Sequence, residues 1–215
     1  MSPADTKGRI LDAAEALFAE HGFAATSLRS ITASAGVNLA AVHYHFGSKE
    51  SLVEAVFARR LGPLNAERLR LLDRVEKSES NPALEEIVEA FLGPPMRMSR
   101  DPGGAVFMRL FGHTLSQRDD RIRRLFANQF REVLARFSAA LGRALPDLPA
   151  EEIFWRMLFT VGSMAHTMAL SDKLPEITEG VCRVTGVETT IQRLVPFVAA
   201  GLRAPLPVAE PGGVA

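Results

Sequence analysis

The side chains best able to do chemistry lie in one short stretch of the chain and carry donors for phosphates and bases. They are Arg29, His43, Tyr44, His45 and Lys49. No acidic residue occurs between Glu20 and Glu50. Because a carboxylate facing a phosphate would oppose binding, this stretch favours contact with a nucleic acid. The whole chain gives no such signal, since 25 Lys and Arg residues balance 25 Asp and Glu residues.

Two short helices joined by a tight turn must position these side chains. The first begins at Thr26 or Ser27, whose hydroxyls can cap free backbone N–H groups. Asn38 can cap the second, which covers residues 39–46. An amphipathic helix over about residues 5–21 precedes and braces the pair. This layout predicts a helix-turn-helix, whose second helix enters the major groove of DNA.

The second helix is suited to reading base pairs. Leu39, Ala40 and Ala41 are of small or modest size, so the helix N-terminus can approach base edges closely. Val42 and Phe46 are four residues apart and can anchor the helix inward, while the three polar rings between them point outward.

Two other interpretations of this stretch stay open at the level of spacing. An ordinary helical subdomain could carry His43 and His45 as surface residues. A metal site at these histidines is disfavoured, because residues two apart on a helix point in different directions and no nearby carboxylate or cysteine completes a ligand set.

The composition predicts a folded protein of the cytoplasm. Hydrophobic residues make up 47% of the 215-residue chain and charged residues 23%, as in ordinary globular proteins. The single cysteine, Cys182, permits no internal disulfide. No apolar run is long enough to span a membrane, and Asp12 and Glu15 interrupt any signal peptide. We find no catalytic triad, phosphate loop or paired Glu-x-x-His motif, so we expect no enzyme, cofactor or metal.

Apolar residues recur at helical spacing throughout, which predicts an all-α fold. The later helices are expected near residues 83–92, 104–117, 119–143, 150–171 and 187–203. A break at Pro63 separates a three-helix DNA-binding domain, residues 4–64 with its reading motif at 27–46, from a helical ligand-binding and dimerisation domain, residues 65–203. The Pro- and Gly-rich tail, residues 204–215, is predicted to be disordered.

Three segments strongly resemble the N-terminal DNA-binding domain of TetR-type transcriptional regulators. They are Thr26 to Ile31 (TSLRSI), Ala35 to Val37 (AGV) and Val42 to Leu52 (VHYHFGSKESL). The resemblance spans roughly residues 4–64. It implies an obligate dimer on an operator in double-stranded DNA, a helical C-terminal domain for a small ligand, and repression that the ligand relieves.

The same resemblance implies two roles within the DNA interface. The residues expected to hold phosphates are Thr26 or Ser27, Tyr44, His45 and Lys49. The residues expected to face bases are Arg29, Asn38, Leu39, Ala40, Ala41 and His43. The family more often has tyrosine at the position of His43 and frequently has a polar residue at that of Leu39, so the operator sequence stays open.

Methionines indicate where an apolar ligand could bind. Every methionine except Met1 lies between residues 96 and 168, and this flexible side chain suits a cavity for a pliable ligand. The candidate pocket comprises Phe107, Met108, Phe111, Leu115, Met157, Met164 and Met168. The same residues could simply fill a core. Arg109 and His166 are polar residues inside apolar stretches and could pair with a ligand head group. Arg109 could instead pair with a glutamate or face solvent.

Further segments resemble PsrA-type regulators, which respond to long-chain fatty acids. They are Leu61 to Pro63, Phe107 to Gly112, Phe154 to Arg156 and Leu194 to Gly201. This resemblance implies a long-chain fatty acid or acyl-CoA as the effector. The alternatives are a TetR-type regulator of an unrelated hydrophobic or aromatic ligand, in efflux or catabolic control, and a helical dimeric interaction module.

The last two long helices are predicted to form a homodimer interface. Helix 150–171 is apolar nearly all round, and helix 187–203 carries a continuous apolar stripe. The stripe consists of Ile191, Leu194, Val195, Val198 and Leu202. Two reading helices related by a twofold axis imply a palindromic operator with half-sites about one helical turn apart.

Overall fold

The computed structural model describes residues 3–78, 82–101, 103–108, 110, 120–183 and 186–206. We number the helices α1 Pro3–Ala25, α2 Leu28–Ala35, α3 Leu39–Phe46, α4 Lys49–Ser78, α5 Leu84–Met98, α6 Asp120–Ala144, α7 Ala150–Leu170, α8 Leu174–Ile177 and α9 Val187–Leu202. Residues 103–108 are also helical. No strand occurs among the residues described, and the all-α prediction is confirmed.

Two compact units make up the chain. The first comprises Met1–Leu69 and Arg97–Leu134, and the second comprises Arg70–Met96 and Ala135–Ala215. These units are defined by contacts within the chain. The functional boundary expected after residue 64 therefore stays a prediction, and residues 207–215 of the expected tail lie outside the described residues.

The predicted end of the first helix at Gly22 corresponds to a kink inside α1. Gly22 has φ 77° and ψ 170°, whereas the residues on both sides are helical. A positive φ carries no steric penalty for glycine, so this residue redirects the chain toward the α1–α2 junction.

Prolines do not end helices where the sequence predicted. α4 continues through Pro63, although we expected a kink or break there, and α5 includes both Pro94 and Pro95 although we expected its end near residue 92. A proline removes one backbone hydrogen bond, a local cost of about 3 kcal/mol. Burial on both sides offsets this cost, because Leu61 and Leu64 flank Pro63 in the core of the first unit.

Aromatic rings run in a continuous series through the core of the first unit. Phe18 contacts Phe23 at 5.0 Å between ring centroids, Phe23 contacts Phe57 at 5.7 Å, and Phe57 contacts Phe107 at 6.1 Å. Ile10, Ile31, Val42 and Leu52 belong to the same buried cluster. The helical segment 103–108 therefore contributes to the core that supports α1 to α4.

A buried carboxylate ties α1 to α4. The Glu15 side chain is 3% exposed and accepts hydrogen bonds from Arg59 and Arg60, the latter at 2.9 Å, while Arg59 also reaches Asp12 at 2.6 Å. Burial lowers the pKa of Arg59, but the hydrogen bonds to Glu15 and Asp12 outweigh it and raise the pKa overall. Because a buried charge without its partner is strongly destabilising, this network fixes the α1–α4 angle.

In the second unit, the apolar stripe of α9 is buried inside the subunit. Its five residues, Ile191, Leu194, Val195, Val198 and Leu202, are between 2% and 7% exposed. The sequence placed this stripe at the dimer interface, and that interpretation is wrong for these residues. An apolar stripe must be covered, but its spacing does not say whether the same subunit or another one covers it.

Two further findings concern only the described part of the chain. No helix in it is long and apolar enough to cross a membrane. Within it, no three acidic, histidine or cysteine side chains cluster closely enough to hold a metal ion.

Candidate nucleic-acid interface

Side chains cap both ends of α2. Ser27 Oγ accepts a hydrogen bond from Ser30 N at 3.0 Å, and Ser30 Oγ in turn accepts from Ser27 N at 3.1 Å. Gly36 follows the helix with φ 60°, and Arg9 of α1 donates to the carbonyls of Ala35 and Gly36. A cation at the carbonyl end of a helix satisfies acceptors that have no partner in the helix. These contacts hold α2 and the turn in place.

Asn38 caps α3, as predicted. Its Oδ1 accepts a hydrogen bond from Ala41 N at 2.9 Å, and Gly47 closes the helix with φ 76°. Val42 is fully buried and Phe46 is partly buried against the same core. α3 is therefore anchored on one side, while Ala40 and Tyr44 lie exposed on the other.

The residues expected to hold phosphates occupy different environments. Thr26 is 2% exposed, and its hydroxyl donates to the Gly22 carbonyl at 2.8 Å, so this side chain belongs to the α1–α2 junction. Ser27 is the member of that pair that faces solvent. Tyr44 is 83% exposed and stacks edge-on against the half-buried His45.

Lys49, which is expected to contact a DNA phosphate, also makes a hydrogen bond within the protein. Its Nζ donates to the Phe23 carbonyl, which lies just after the kink of α1. An ammonium group has three donors, so two remain for a phosphate. The structure thus links a candidate phosphate contact to the backbone that positions α2.

The residues expected to face bases lie on α2 and α3, which contact each other. Arg29, Asn38, Leu39, Ala40 and His43 are exposed, and Ala41 is half-buried. His43 Nδ1 lies 3.0 Å from the Gly47 carbonyl. Because a carbonyl only accepts, Nδ1 is the donor in this contact, which leaves Nε2 as the ring nitrogen for an outside partner.

Sequence reasoning missed two cations of α1. Arg9 caps α2 from 26 residues away, and Lys7 Nζ lies 5.9 Å from the centroid of the Phe46 ring. Neither contact can be predicted from neighbouring residues, because the end of α2 and Phe46 are distant in sequence from Arg9 and Lys7. The sequence shows only that both residues are basic and lie in the first turns of α1, which does not identify their partners.

The candidate ligand residues are divided between the two units. Phe107 is fully buried and Met108 half-buried in the core of the first unit, whereas Met157, Met164 and Met168 lie in the second. Phe111, Leu115 and Arg109 lie outside the described residues. His166 is exposed. The single pocket expected from the sequence stays a prediction.

A small apolar cavity lies inside the second unit. Met157 lines it together with Phe91, Phe137, Thr160 and Leu202, among others. Its volume is about 10 Å³, which is the space of one water molecule. A ligand of any length would need this cavity to expand.

The outer faces of α7 and α9 expose large apolar side chains. The exposed residues are Phe154, Trp155, Leu158, Phe159 and Phe197, each at least 50% exposed. Monomeric proteins rarely leave such a concentration of large apolar residues in water. We call these five residues the apolar face.

Family models match most of the chain. One described as "Bacterial regulatory proteins, tetR family" matches residues 10–56, and one described as "Tetracyclin repressor-like, C-terminal domain" matches residues 89–201. The HTH-type transcriptional regulator BetI of Rhizobium meliloti is 28% identical over 153 residues, which cover 71% of this chain and 72% of BetI. The HTH-type transcriptional repressor KstR2 of Mycolicibacterium smegmatis is 37% identical over 71 residues, about a third of each chain.

Solved structures share the fold. The fatty acid degradation regulator FadR from Bacillus halodurans has a TM-score of 0.68 at 14% identity, covering 93% of this chain and 97% of FadR. SmeT, the repressor of a Stenotrophomonas maltophilia multidrug efflux pump, has a TM-score of 0.63 at 24% identity, and the match covers 97% of this chain and 100% of SmeT.

The family models decide which family the chain belongs to. The C-terminal family model alone spans more than half of the chain, and the N-terminal one spans the capped helices α2 and α3. The chain therefore belongs to the TetR family of bacterial transcriptional regulators.

Proposed function

We propose that this protein is a dimeric repressor that binds a palindromic operator through α2 and α3 and leaves it when a small apolar ligand binds. The observation that carries the proposal is the exposure of Arg29, His43 and Tyr44 in a stretch without a carboxylate. Such a surface can neutralise phosphates without repelling them.

The proposed roles at DNA follow from exposure and hydrogen bonding. Ser27, Tyr44, His45 and Lys49 position the protein on phosphates, which fixes register without reading sequence. Arg29 and His43 choose the sequence, with Asn38, Leu39, Ala40 and Ala41 forming the end of α3 that approaches the base edges. We assign no phosphate to the Thr26 hydroxyl, because it donates to Gly22.

Homodimerisation is supported by the apolar face. A twofold dimer uses the same patch on both subunits, so one exposed face serves both partners. Phe159 and Phe197, at 61% and 68% exposure, would be covered in this way. Two reading helices related by the twofold axis then match an operator whose half-sites lie about 34–36 Å apart.

A long-chain fatty acid or acyl-CoA is the ligand we propose. Met157, Met164 and Met168, which lie together on α7 in the second unit, support an adaptable apolar site, and FadR, a protein with the same fold, is named for fatty acid degradation. SmeT, which has the same fold, has been solved with triclosan, and this supports an aromatic ligand as the alternative. To release DNA, either ligand must bind more tightly to a dimer conformation in which the two α3 helices no longer fit the operator. A ligand that binds the DNA-bound and DNA-free conformations equally well does not change the equilibrium between them.

Operator titrations test the proposal. An operator is first selected from a pool of random duplexes, and affinity is then measured by fluorescence anisotropy with oleate, oleoyl-CoA or triclosan present. We expect the two acyl compounds to weaken operator binding. If only triclosan does so, the acyl ligand is wrong and the DNA-binding function stands; if no duplex is selected, the DNA-binding function itself fails.

A further inference from the structure

The His43 ring is held by the residue that closes its helix. The Gly47 N–H donates to the His43 carbonyl at 2.9 Å, and the Gly47 carbonyl lies 3.0 Å from His43 Nδ1. Gly47 has φ 76° and ψ −58°, a backbone conformation that glycine adopts without the penalty that a side chain would bring. Because the carbonyl accepts from Nδ1, the ring is fixed in orientation and one of its two nitrogens is occupied within the protein.

The second ring nitrogen, Nε2, is on the side of α3 that we propose approaches the base edges. His43 lies three residues after Ala40 and four residues after Leu39, so the three side chains share one face of the helix. All three residues are exposed. His43 therefore offers a single polar ring atom to DNA, Nε2.

The protonation state of the ring determines what Nε2 can bind. With Nδ1 donating to Gly47, Nε2 accepts a hydrogen bond when the ring is neutral and donates one when the ring is protonated. In the major groove guanine presents two acceptors, N7 and O6, whereas cytosine presents an amino donor. Histidine changes its charge between about pH 5 and pH 8. The same side chain can thus favour opposite bases at two pH values.

The charges around α3 favour the protonated ring once DNA is bound. The stretches of α1, α2 and α4 that adjoin α3 carry more cations than carboxylates: Lys7, Arg9, Arg29 and Lys49 against Asp5 and Glu50, with Tyr44 and His45 as the other titratable groups of α3 itself. Further along α1, Asp12 and Glu15 are paired with arginines of α4. In the free protein the cations disfavour a positive ring, but the phosphates of a bound duplex neutralise them and favour it.

We propose that His43 is a specificity-determining residue that takes up a proton when the protein binds its operator and donates from Nε2 to a guanine in each half-site. The inference rests on the DNA-binding function proposed above and adds the atom, the base and the protonation state. His45 differs from His43, because it is half-buried, stacks on Tyr44 and is proposed to contact a phosphate. A positive charge on His45 should strengthen binding to every duplex alike.

Affinities at two pH values test the proposal. An operator selected at about pH 6 and a random duplex are titrated by fluorescence anisotropy at about pH 6 and about pH 8. For the unchanged protein, the ratio of operator affinity to random-duplex affinity should fall about 10-fold or more as the pH rises, the scale of one lost base contact in each half-site. Circular dichroism at both pH values checks that the protein stays folded.

Three histidine variants identify the group responsible. His43→Gln keeps a polar side chain that does not titrate, so its affinity ratio should be the same at both pH values. His45→Gln should lower the affinity for both duplexes and keep the pH dependence of the ratio. His21→Gln is the matched control and should behave as the unchanged protein, because His21 lies exposed on α1 and contacts Glu20 at 3.7 Å.

Proton uptake distinguishes base recognition from a structural role of the contact between His43 and Gly47. Calorimetry in two buffers with different ionisation enthalpies counts the protons that bind with the operator. The unchanged protein should take up about one more proton per half-site than His43→Gln does. A structural role alone would lower the affinity of His43→Gln and leave the proton count unchanged.

The outcomes separate this inference from the proposed function. If no duplex is selected at either pH, the DNA-binding function fails and the inference fails with it. If an operator is selected but His43→Gln keeps the pH dependence and the proton uptake of the unchanged protein, only the inference is wrong. The inference is also wrong if selection repeated at about pH 8 enriches guanine at the same half-site positions as selection at about pH 6.

Discussion

The α2–α3 surface and the apolar face of α7 and α9 differ in how they are held. Caps from within a few residues, Ser27 and Asn38, begin both helices of the first surface and leave donors exposed, and Arg9 adds one distant contact at the end of α2. The second is held from afar, since Arg156 reaches the end of α9 from 45 to 48 residues away. One surface is polar and suited to phosphates, and the other is apolar and suited to a second subunit. Capping contacts between residues close in sequence can be predicted from the sequence, whereas contacts between distant residues cannot.

The largest effect is expected at the apolar face. Phe159→Glu puts a charge where two copies would bury apolar rings, which should cost about 2–4 kcal/mol of dimerisation free energy. The subunit itself should stay folded, because Phe159 is mostly exposed. Sedimentation velocity checks this, with Ala58→Glu on the exposed surface of α4 as the control for added charge. A dimer that survives Phe159→Glu would show that the apolar face serves another purpose.

Arg29→Ala tests whether this residue of the α2–α3 surface contacts a base or a phosphate. If Arg29 contacts a base, operator affinity should fall by about 1–3 kcal/mol, with little change on random duplex. Fluorescence anisotropy on both duplexes measures the difference. Equal losses on the two would move Arg29 to the residues that hold phosphates.

Gly36→Ala tests how firmly the turn between α2 and α3 is held. The positive φ of Gly36 is strained for alanine, and the new Cβ would lie 2.6 Å from Arg9 Nη2. We expect a loss of about 1–3 kcal/mol in the free energy of unfolding, measured by urea denaturation. Gly8→Ala, with open space and an ordinary φ, is the control and should be neutral or stabilising. Equal stabilities for the two variants would mean that neither the backbone strain at Gly36 nor the contact with Arg9 constrains the turn.

Lys49→Ala should weaken operator and random duplex alike. Loss of one phosphate contact should lower the slope of log affinity against log salt by about 0.9. The Phe23 carbonyl also loses its donor, so thermal unfolding must be measured beside the titration. An unchanged salt slope with lowered stability would assign Lys49 to the fold alone.

The smallest effect concerns an exposed ion pair of the second unit. The hydrogen bond from Arg203 lowers the pKa of Glu85 from 4.5 to about 2. A lowered carboxyl pKa gives stability that is present above pH 4.5 and is lost as pH falls toward 2. Glu85→Gln should therefore flatten the acid limb of a stability–pH curve slightly, since the pair is exposed to solvent. An acid limb as steep as that of the unchanged protein would mean that the pair does not form in solution.

The same contrast explains how much could be predicted from sequence. The all-α class, the caps at Ser27 and Asn38 and the helix ends at Gly36 and Gly47 follow from local rules, and the structure has them. The inward hydroxyl of Thr26 and the cap from Arg9 depend on distant partners that no spacing reveals. α4 continues through Pro63 because burial in the tertiary fold outweighs a local preference.

The apolar residues show the limit most clearly. The stripe of α9 and the outer face of α7 are both apolar in sequence, yet Leu194 is buried within the subunit and Phe159 is exposed. Only the packing of α7 against α9 determines which apolar residues are buried and which are exposed. The candidate ligand residues show the same limit, since Phe107 completes an aromatic series that begins in α1.

The central claim is that the carboxylate-free surface of α2 and α3 binds DNA, and one charge placed there tests it most directly. Ala40 is exposed near the N-terminus of α3, where a glutamate suits the helix dipole and leaves the fold intact. In anisotropy titrations, Ala40→Glu should bind operator about 100-fold or more weakly than the unchanged protein, while Ala58→Glu binds normally. Equal operator affinity for Ala40→Glu and Ala58→Glu would contradict the account.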